Sequence, residues 1–258
     1  MITAGIDCGA MNTKTVVMKD GTIIGKGLAP TGFDAAGAVE DSLNQALLQA
    51  GVARAGIRRI CATGSGRNAV PVADESVSEI KAMARGAFCF FPGARTVVDV
   101  GAEEGRAVKL DDHGQPVDFA VNDRCAAGAG VFIEAMARAL GIGVEEMGRL
   151  SLRSEREVRM NAPCAIFAES EVIGLIHSNI PAADISRAIY DCIARRIAGI
   201  IRRVGIHEEV VLIGGPARSA GLLSSLRREL KVTQVLAPAE PDFGAAVGAA
   251  LCAAEEPR

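Results

Sequence analysis

The chain has few aromatic residues and no tryptophan. Aromatic side chains make up 3% of its 258 residues, and Tyr190 is the one tyrosine. Proteins that bind single-stranded nucleic acid stack bases on aromatic side chains, so this scarcity argues against such a partner. Lysine and arginine number 28 against 31 acidic residues, a net charge of −3, which leaves no basic excess for nucleic acid or an anionic membrane. We therefore expect neither a nucleic-acid partner nor a membrane partner.

Targeting signals and long apolar runs are also missing. Residues 1–7 lack a basic region followed by an apolar core, so we expect no secretory signal peptide. The apolar run 243–254 is too short to span a bilayer. Seven cysteines without regular spacing do not resemble the disulfide framework of a secreted domain. These features predict a reducing, cytoplasmic location.

Two common signatures of nucleotide and metal sites are absent. The chain has no Gly-x-x-x-x-Gly-Lys-Ser/Thr segment, which excludes a Walker loop. Cys-x-x-Cys spacing is absent as well, which disfavours a zinc site. His113, His177 and His207 show no ligand spacing, and we expect them to be solvated or packed. Five cysteines lie in apolar strand or helix patterns and are predicted to be packing residues: Cys8, Cys61, Cys89, Cys192 and Cys252.

What the sequence does contain is a repeated pattern of strand, glycine-containing turn and hairpin. The first copy begins with an apolar strand that ends in Asp7, and residues 97–120 repeat the same order. The matched pairs are Asp7 with Asp99, Gly9 with Gly101, Ala10 with Ala102, and Lys14 with Arg106. Agreement at so many positions predicts two related α/β halves, each contributing one such hairpin to a central cleft.

Each hairpin carries the residue types that bind phosphate. Backbone N–H groups in a glycine-containing bend bind phosphate oxygens, and a nearby basic side chain adds charge. An aspartate suits hydrated Mg²⁺, which prefers one or two carboxylates and several waters. Many hairpins without a ligand share these features, so this fragment alone leaves both interpretations open.

Two further segments are rich in small residues. Gly214 and Gly215 follow a predicted strand at 209–213 and would let a base or ribose approach the backbone closely. An ordinary strand-to-helix turn explains them almost as well. The run 243–251 predicts a helix of small residues, which permits close helix approach where two domains hinge. A tightly packed surface helix is the alternative.

Cys125 and Cys164 each stand just before an amphipathic helical run. Free N–H groups and the helix dipole at such a position lower a thiol pKa and stabilise a bound anion, and a thiolate-ligated iron–sulfur cluster is an anion. Because a [4Fe–4S] cluster takes four thiolates, we hypothesise that a symmetric dimer contributes two from each chain. The alternative is that both cysteines are small buried residues near glycine-rich helix starts.

Together these residues resemble the acetate and sugar kinase, Hsp70 and actin superfamily. Within it, Asn-Asp-Arg-Cys-Ala-Ala-Gly-Ala-Gly at 122–130 and Cys-Ala-Ile-Phe-Ala-Glu-Ser-Glu-Val-Ile at 164–173 are similar to the signatures of one family. Its members are the ATP-hydrolysing activators of 2-hydroxyacyl-CoA dehydratases and the ATP-binding subunits of benzoyl-CoA reductase. The resemblance implies an α/β fold of two ribonuclease H-like, actin-like ATPase halves around a nucleotide cleft. Residues 1–92 with the C-terminal helix at 240–258 would form one half, and residues 93–239 the other.

The resemblance also implies a function and a site. One [4Fe–4S] cluster per dimer, held by Cys125 and Cys164 as metal ligands, would bridge two subunits. Hydrolysis of Mg²⁺-ATP to ADP would drive a low-potential electron from a ferredoxin-type donor into a CoA-thioester reductase or dehydratase. Asp7 and Asp99 would act as the catalytic residues that hold the waters of the metal. The predicted phosphate contacts are Gly9, Ala10, Thr13, Lys14, Gly101, Ala102 and Arg106, and the nucleoside contacts are Gly214 and Gly215.

One departure from the activator pattern concerns the second hairpin. Activators tend to carry Ser-Lys or Thr-Lys in both hairpins, whereas this chain has Thr13-Lys14 in the first and Gly105-Arg106 in the second. Glu103 and Glu104 stand where an amide-rich loop is more usual, and they are candidates for orienting the attacking water. This pattern is more similar to the ATP-binding subunit of benzoyl-CoA reductase, and it leaves a homodimer and a heterodimer with a paralogous subunit both open.

Two other functions fit part of the pattern. A small-molecule kinase for a sugar or carboxylate would use the same cleft, but it needs a substrate pocket, and no inserted segment that would build one is evident. A nucleotide-switched binding protein would use Cys125 and Cys164 only as structural or zinc-binding residues. Acceleration of ATP turnover by a sugar or carboxylate would favour the kinase, whereas a brown colour after anaerobic purification would favour the redox function.

Overall fold

The structure is a computed structural model that describes residues 1–122, 130–161 and 164–255. These residues form two five-stranded sheets with helices packed on them. Among them, no helix combines the length and the apolarity that crossing a lipid bilayer requires.

The two sheets share one topology. The first contains β1 to β5, which are Ile2–Cys8, Asn12–Lys19, Thr22–Pro30, Arg59–Thr63 and Glu75–Ser76. The second contains β6 to β10, which are Thr96–Val100, Gly105–Leu110, Pro116–Asn122, Val210–Ile213 and Val235–Leu236. Their orders are β3-β2-β1-β4-β5 and, read from the opposite edge, β8-β7-β6-β9-β10. In both sheets the first three strands are antiparallel and the last two run parallel to the first. The repeat seen in the sequence is therefore a repeat of the sheet topology.

Helices cover the sheets and bury the apolar sides of the strands. In the described residues they are α1 to α8: Ala35–Ala50, Glu79–Phe90, Gly130–Leu140, Val144–Ser151, Ala165–His177, Ala182–Val204, Ala220–Leu230 and Gly244–Ala253. Helix α1 begins after Asp34, whose carboxylate accepts a hydrogen bond from the Gly37 N–H at 2.9 Å, and ends at Gly51 in the left-handed conformation. Its buried Val39 and Leu43 pack on the first sheet.

The core of the second half is built on α6. Its isoleucines recur every four residues and are almost fully buried: Ile185, Ile189, Ile193, Ile197 and Ile201. This stripe packs against β7 and β8, and helices α4 and α7 pack on α6. Periodic burial of one helix face is the pattern that an apolar stripe predicts. Helices α3 to α5 lie between β8 and α6 in the chain, where the first half has no equivalent helices.

Helices α2 and α8 cross each other at backbone contact. A Cβ added at Gly86 would lie 1.9 Å from the Gly244 carbonyl oxygen, and one at Gly248 would lie 1.8 Å from that of Ala82. Helix α8 also packs on β1, where a Cβ at Gly5 would lie 2.0 Å from the Ala246 carbonyl oxygen. Glycine is thus required at these contacts because no side chain fits between the backbones.

The helix at the end of each half packs across the molecule. Helix α2 follows the first sheet in the chain, but its buried Met83, Ala84 and Ala87 cluster with Val97 and Val108 of the second sheet. Helix α8 follows the second sheet and packs on the first. Helix α8 thus packs on the sheet of the first half, and α2, which lies in the range 1–92, contacts the second sheet. The domain boundaries themselves stay a prediction.

Candidate active site

The two hairpins place an acidic and a basic residue directly opposite each other. Asp7 on β1 pairs in register with Lys14 on β2, and Asp99 on β6 pairs with Arg106 on β7. Directly opposed residues of antiparallel strands have neighbouring side chains. The Lys14 Nζ lies 3.1 Å from the Asp7 carboxylate, and the Arg106 guanidinium lies 3.7 Å from that of Asp99. The equivalence of the two sequence copies is therefore also an equivalence of position.

The turns between the paired strands are alike. The Gly9 N–H donates to the Asn12 carbonyl at 3.2 Å, and the Gly101 N–H donates to the Glu104 carbonyl at 2.9 Å. The two bonds join matching positions of the repeat, because Asn12 precedes Lys14 by the same two residues by which Glu104 precedes Arg106. Each turn thus closes on itself and directs its tip into the space between the halves, where Ala102 lines the wall.

A second matched pair escaped the comparison of sequence copies. Gly64 and Gly214 directly follow the parallel strands β4 and β9, with φ of 91° and 89°. A Cβ at Gly64 would lie 2.6 Å from the Asp7 carboxylate, and one at Gly214 would lie 2.7 Å from that of Asp99. Both glycines therefore make room for the catalytic candidates. In the sequence, each of these glycines directly follows a predicted strand. A glycine after a strand is so common that this pattern alone does not predict a site.

A cavity of about 890 Å³ lies between the halves. Its wall includes ten of the residues predicted for the site: Asp7, Gly9, Ala10, Lys14, Asp99, Gly101, Ala102, Arg106, Gly214 and Gly215. The volume is typical of a pocket for a small molecule or cofactor. Residues far apart in the chain thus come together at one cleft, as the repeat predicted.

Thr13 is the one predicted phosphate contact whose side chain is directed elsewhere. It is fully buried, and its hydroxyl lies 3.0 Å from the Thr31 hydroxyl and 3.8 Å from the Cys8 sulfur. The neighbouring Asn12 lines the cavity instead. In a strand, successive side chains point to opposite faces, so Thr13 and Lys14 cannot both face the cleft. The prediction treated them as a pair and overlooked this alternation.

Burial shifts the protonation equilibria of the acidic groups in the cleft. Burial raises the pKa of Asp99 to about 6, although the Arg106 guanidinium beside it acts in the opposite direction. Burial also raises the pKa of Glu79, again opposed by Arg106. Burial would lower the pKa of Lys14, but Asp7 and other carboxylates raise it overall, so that this amine stays charged. The acidic side chains that line the cavity, among them Asp7, Glu79 and Asp99, are suited to a cation that would offset the cost of burying them.

Arg106 is held by three carboxylates. Its Nη2 atom lies 2.9 Å from Glu79 and 2.5 Å from Glu104, in addition to the contact with Asp99. The arginine is 8% exposed, so these contacts largely replace its solvation. Glu79, the first residue of α2, was not identified from the sequence, because nothing local to it indicates that α2 packs at this cleft. Glu103 and Glu104, the two acidic residues that the sequence analysis singled out, both line the cavity, and Glu104 is also bound to Arg106.

The far end of the cavity is lined by backbone and apolar side chains. Gly214 donates its N–H to the Pro241 carbonyl at 2.9 Å, and a 3-10 turn at Gly215–Arg218 follows it. Arg218 pairs with Asp242, which keeps this turn against the segment before α8. Ile133, Val144 and Leu223 supply the apolar wall. A flat, partly apolar group such as a nucleoside base suits this region.

Of the two cysteines predicted as metal ligands, Cys125 lies outside the described residues. Cys164 is the N-cap residue of α5, is half-buried, and makes no side-chain capping hydrogen bond. The N–H groups of the first turn of α5 are therefore not capped by the thiol. Within the part of the chain that the structure describes, no three His, Cys, Asp or Glu side chains group as metal ligands.

Helix α5 is far less amphipathic than the sequence suggested. Ala168 and Val172 are its buried residues and Leu175 is partly buried, whereas its four other large apolar side chains are exposed. Their exposed fractions are 76% for Ile166, 62% for Phe167, 44% for Ile173 and 41% for Ile176. An exposed apolar patch of this kind is typical of an interaction surface. We call these four residues the α5 patch.

The other cysteines divide into two groups. Cys8, Cys61, Cys192 and Cys252 are buried, as their apolar surroundings in the sequence predicted. Cys89 is exposed, so its predicted role as a packing residue is wrong. It lies near the end of α2, whose opposite face packs on the second sheet. The apolar pattern of α2 predicted burial of Cys89, but Cys89 lies on the face of α2 that points to solvent.

Two halves of one topology, each presenting an aspartate and a glycine-containing hairpin to a shared cleft, define the actin-like ATPase fold. The chain belongs to the BadF/BadG/BcrA/BcrD ATPase family, whose model matches residues 4–253.

Relatives with assigned functions cover almost the whole chain. The structure of the activator of the 2-hydroxyisocaproyl-CoA dehydratase from Clostridium difficile, with bound ADPNP, superposes with a TM-score of 0.92 at 35% identity, over 98% of this chain and 94% of that one. The structure of (R)-2-hydroxyglutaryl-CoA dehydratase component A from Acidaminococcus fermentans gives 0.93 at 33% identity, over 98% and 97%. One of the subunits of benzoyl-CoA reductase from Thauera aromatica is 34% identical over 97% of this chain and 92% of its own length. The chain is about as similar to the activators as to the reductase subunit, so sequence identity does not distinguish between these two roles.

Proposed function

We propose that this chain couples ATP hydrolysis to the delivery of a low-potential electron to a CoA-thioester dehydratase or reductase. The observation that carries the proposal is an ATPase-type cleft in the same chain as Cys164, which stands at the N-terminus of a helix with an exposed apolar patch. Family membership, together with relatives named as activators and as part of a reductase, supports it. These relatives also favour it over a sugar or carboxylate kinase.

ATP hydrolysis requires positioning and charge neutralisation more than covalent participation by the protein. Asp7 and Asp99 line one cavity and would hold the waters of a hydrated Mg²⁺. Lys14, Arg106 and the backbone N–H groups of the two turns would bind phosphate oxygens. Water adds to the γ-phosphorus of ATP while the bond between that phosphorus and the oxygen bridging to the β-phosphate breaks. ADP, phosphate and a proton are released.

We propose Glu79 as the residue that orients the attacking water, in preference to Glu103 and Glu104. Glu79 lines the cavity and is anchored by Arg106 at 2.9 Å. Its position at the start of α2 is fixed by Ser78, whose hydroxyl accepts a hydrogen bond from the Lys81 N–H at 3.2 Å. Burial raises the pKa of Glu79, which brings a carboxylate closer to the range that suits a proton acceptor. Glu104 is also bound to Arg106, but Glu103 and Glu104 both lie on the turn between β6 and β7, whereas Glu79 lies on a helix.

The environment of Cys164 fits a thiolate ligand of an iron–sulfur cluster. Cys164 is half-buried, and the first-turn N–H groups of α5, which its thiol does not cap, would stabilise an anion. The described residues of one chain offer no complete ligand set, so we propose that Cys125 and the two cysteines of a second chain complete it. When bound, a [4Fe–4S] cluster supplies one-electron storage at low potential.

The α5 patch supports a subunit interface beside Cys164. Ile166 and Phe167, next to the cysteine in the chain, are its most exposed members. An isologous dimer would place this patch against its own copy, with both Cys164 residues near the symmetry axis. A paralogous chain of the same family would be equally suited, so homodimer and heterodimer are both retained. The proposed partners in the cytoplasm are a ferredoxin-type donor and the dehydratase or reductase component.

Anaerobic reconstitution with iron and sulfide tests the ligand assignment. Cys164→Ala and Cys125→Ala are each expected to lose most of the bound iron, because a cluster with missing thiolates is not retained. Cys89→Ala is the matched control, since it removes an exposed cysteine far from the α5 patch in the chain and should keep the wild-type iron content. Iron, sulfide and molar mass in solution would be measured for each. Full iron content in Cys164→Ala would refute the assignment.

A further inference from the structure

The first turn of α3 is hydrogen-bonded to the tip of the second phosphate-binding turn. The Gly130 N–H donates to the Gly101 carbonyl at 2.8 Å, and the Val131 N–H donates to the Ala102 carbonyl at 3.0 Å. The N–H groups at the start of a helix lack partners within the helix, and here the turn supplies carbonyl oxygens to two of them. We call this pair of bonds the α3 latch.

The latch is tightly packed as well as hydrogen-bonded. Gly130 is buried and lines the cavity. A Cβ added there would lie 3.3 Å from the Gly101 carbonyl oxygen, 3.3 Å from Pro216 Cγ and 3.6 Å from Ala102 Cα. Pro216 belongs to the 3-10 turn at the nucleoside end. The first residue of α3 therefore touches the proposed phosphate and nucleoside ends of the cleft together.

The first half holds the matching turn differently. There the Gly9 carbonyl accepts a hydrogen bond from the Thr31 hydroxyl at 2.8 Å, and the Met11 carbonyl accepts one from the Thr31 N–H at 2.9 Å. Thr31 follows β3 directly and leads into α1. In the second half, the residue that reaches the turn is Gly130, eight positions after β8 ends at Asn122. Cys125 lies in the sequence between these two positions.

We propose that the α3 latch transmits nucleotide binding at the second turn, residues 101–104, to the segment before α3 that contains Cys125. This role rests on the proposed function. The peptide units that would bind phosphate through their N–H groups are the ones whose carbonyls hold α3. Movement of the turn upon nucleotide exchange is therefore passed to Gly130 and Val131. Helix α3 packs against α5, whose N-cap residue is Cys164, so a shift of α3 would also reach that helix. Gly130 is a positioning residue in this proposal.

A matched pair of variants isolates the hydrogen bond. Gly130→Pro removes the N–H that donates to Gly101 at a first helical position, where proline is tolerated. Gly130→Ala adds a Cβ at the same place but keeps the N–H. The reconstituted proteins would be compared with Mg²⁺-ADP and with a non-hydrolysable ATP analogue. The two readouts are amide hydrogen exchange of residues 131–140 and the rate at which a chelator removes iron.

In the wild type, exchanging the nucleotide should change both rates by about two- to tenfold, as expected when a net hydrogen bond is made in one state and weakened in the other. Gly130→Ala should keep most of this difference. Gly130→Pro should lose this difference. Because Gly130 lines the cavity, the Kd of each nucleotide is measured for every variant, and both rates are compared with the nucleotide at saturation. A nucleotide difference of wild-type size in Gly130→Pro would overturn the proposal.

Other outcomes are also decisive. If Gly130→Pro fails to fold, amide exchange in the wild type is the test, and unchanged protection of Val131 between the two nucleotides overturns the latch. If the wild type binds nucleotide but holds no iron, the proposed redox function is wrong. Amide hydrogen exchange of residues 131–140 still tests the latch in that case. If nucleotide binding and iron content are normal but neither rate depends on the nucleotide, the latch fails and the proposed function stands.

Discussion

The Asp99 carboxylate should make the nucleotide-free protein less stable as pH rises. Burial raises its pKa to about 6 from an ordinary value near 3.8. A raised pKa means that the fold favours the neutral acid, so the stability that this group contributes is complete below about pH 4 and is lost as pH rises to about 6. A difference of about two pKa units corresponds to roughly 3 kcal/mol. Replacement by a neutral isostere should recover that amount.

Asp99→Asn is the variant that tests this reasoning. Its free energy of unfolding should exceed that of the wild type by up to about 3 kcal/mol at pH 7.5, and the difference should shrink as pH falls from about 6 towards 5. Urea unfolding of nucleotide-free protein at several pH values measures it. Mg²⁺-ATP should narrow the difference, because in the proposed site only the wild type would hold the waters of the metal through this carboxylate. Parallel pH profiles for the two proteins would refute the assignment of a buried, charged Asp99.

Three other substitutions follow from the structure. Glu79→Gln should lower kcat for ATP hydrolysis by about 10²-fold or more with little change in nucleotide Kd, and an unchanged kcat would exclude Glu79 as the water-orienting residue. Phe167→Asp should weaken subunit association in the α5 patch by at least about tenfold in dissociation constant, whereas Leu48→Asp, at an 85% exposed position on α1, should not. Gly248→Val should destabilise the fold by about 3 kcal/mol or more, since a Cβ there meets the Ala82 carbonyl oxygen. Thermal unfolding that matches the wild type would contradict that crossing.

Much of the site could be predicted because the repeat fixes local geometry. An aspartate near the end of one strand and a basic residue seven positions later face each other when a tight hairpin joins the strands. This is the register found for Asp7 with Lys14 and for Asp99 with Arg106. The same alternation explains why the side chain of Thr13 points away from the face that Lys14 occupies. Within a strand, a residue that neighbours a site residue in the chain therefore need not share its role, because the two side chains point to opposite faces.

Other features were invisible because they depend on which surfaces meet. Glu79 reaches Arg106 only because α2 crosses to the second sheet. The exposure of the α5 patch depends on which face of α5 packs on α3 and α6, and the apolar sequence of that helix is compatible with burial of any face. The hydrogen bonds of the α3 latch join backbone groups, whose partners no side-chain pattern records.

The sequence by itself determined the two-fold repeat, the acid–base pairs within each hairpin and the place of Cys164 before a helix. These depend on strand alternation, turn closure and helix capping, which act over a few residues. Only the tertiary structure decided that the two pairs share one cavity, that Glu79 joins them, and that the start of α3 rests on the second turn. Those contacts arise when the two sheets and the crossed helices α2 and α8 pack together. The surfaces that pack are far apart in the chain, so no local pattern predicts which of them meet.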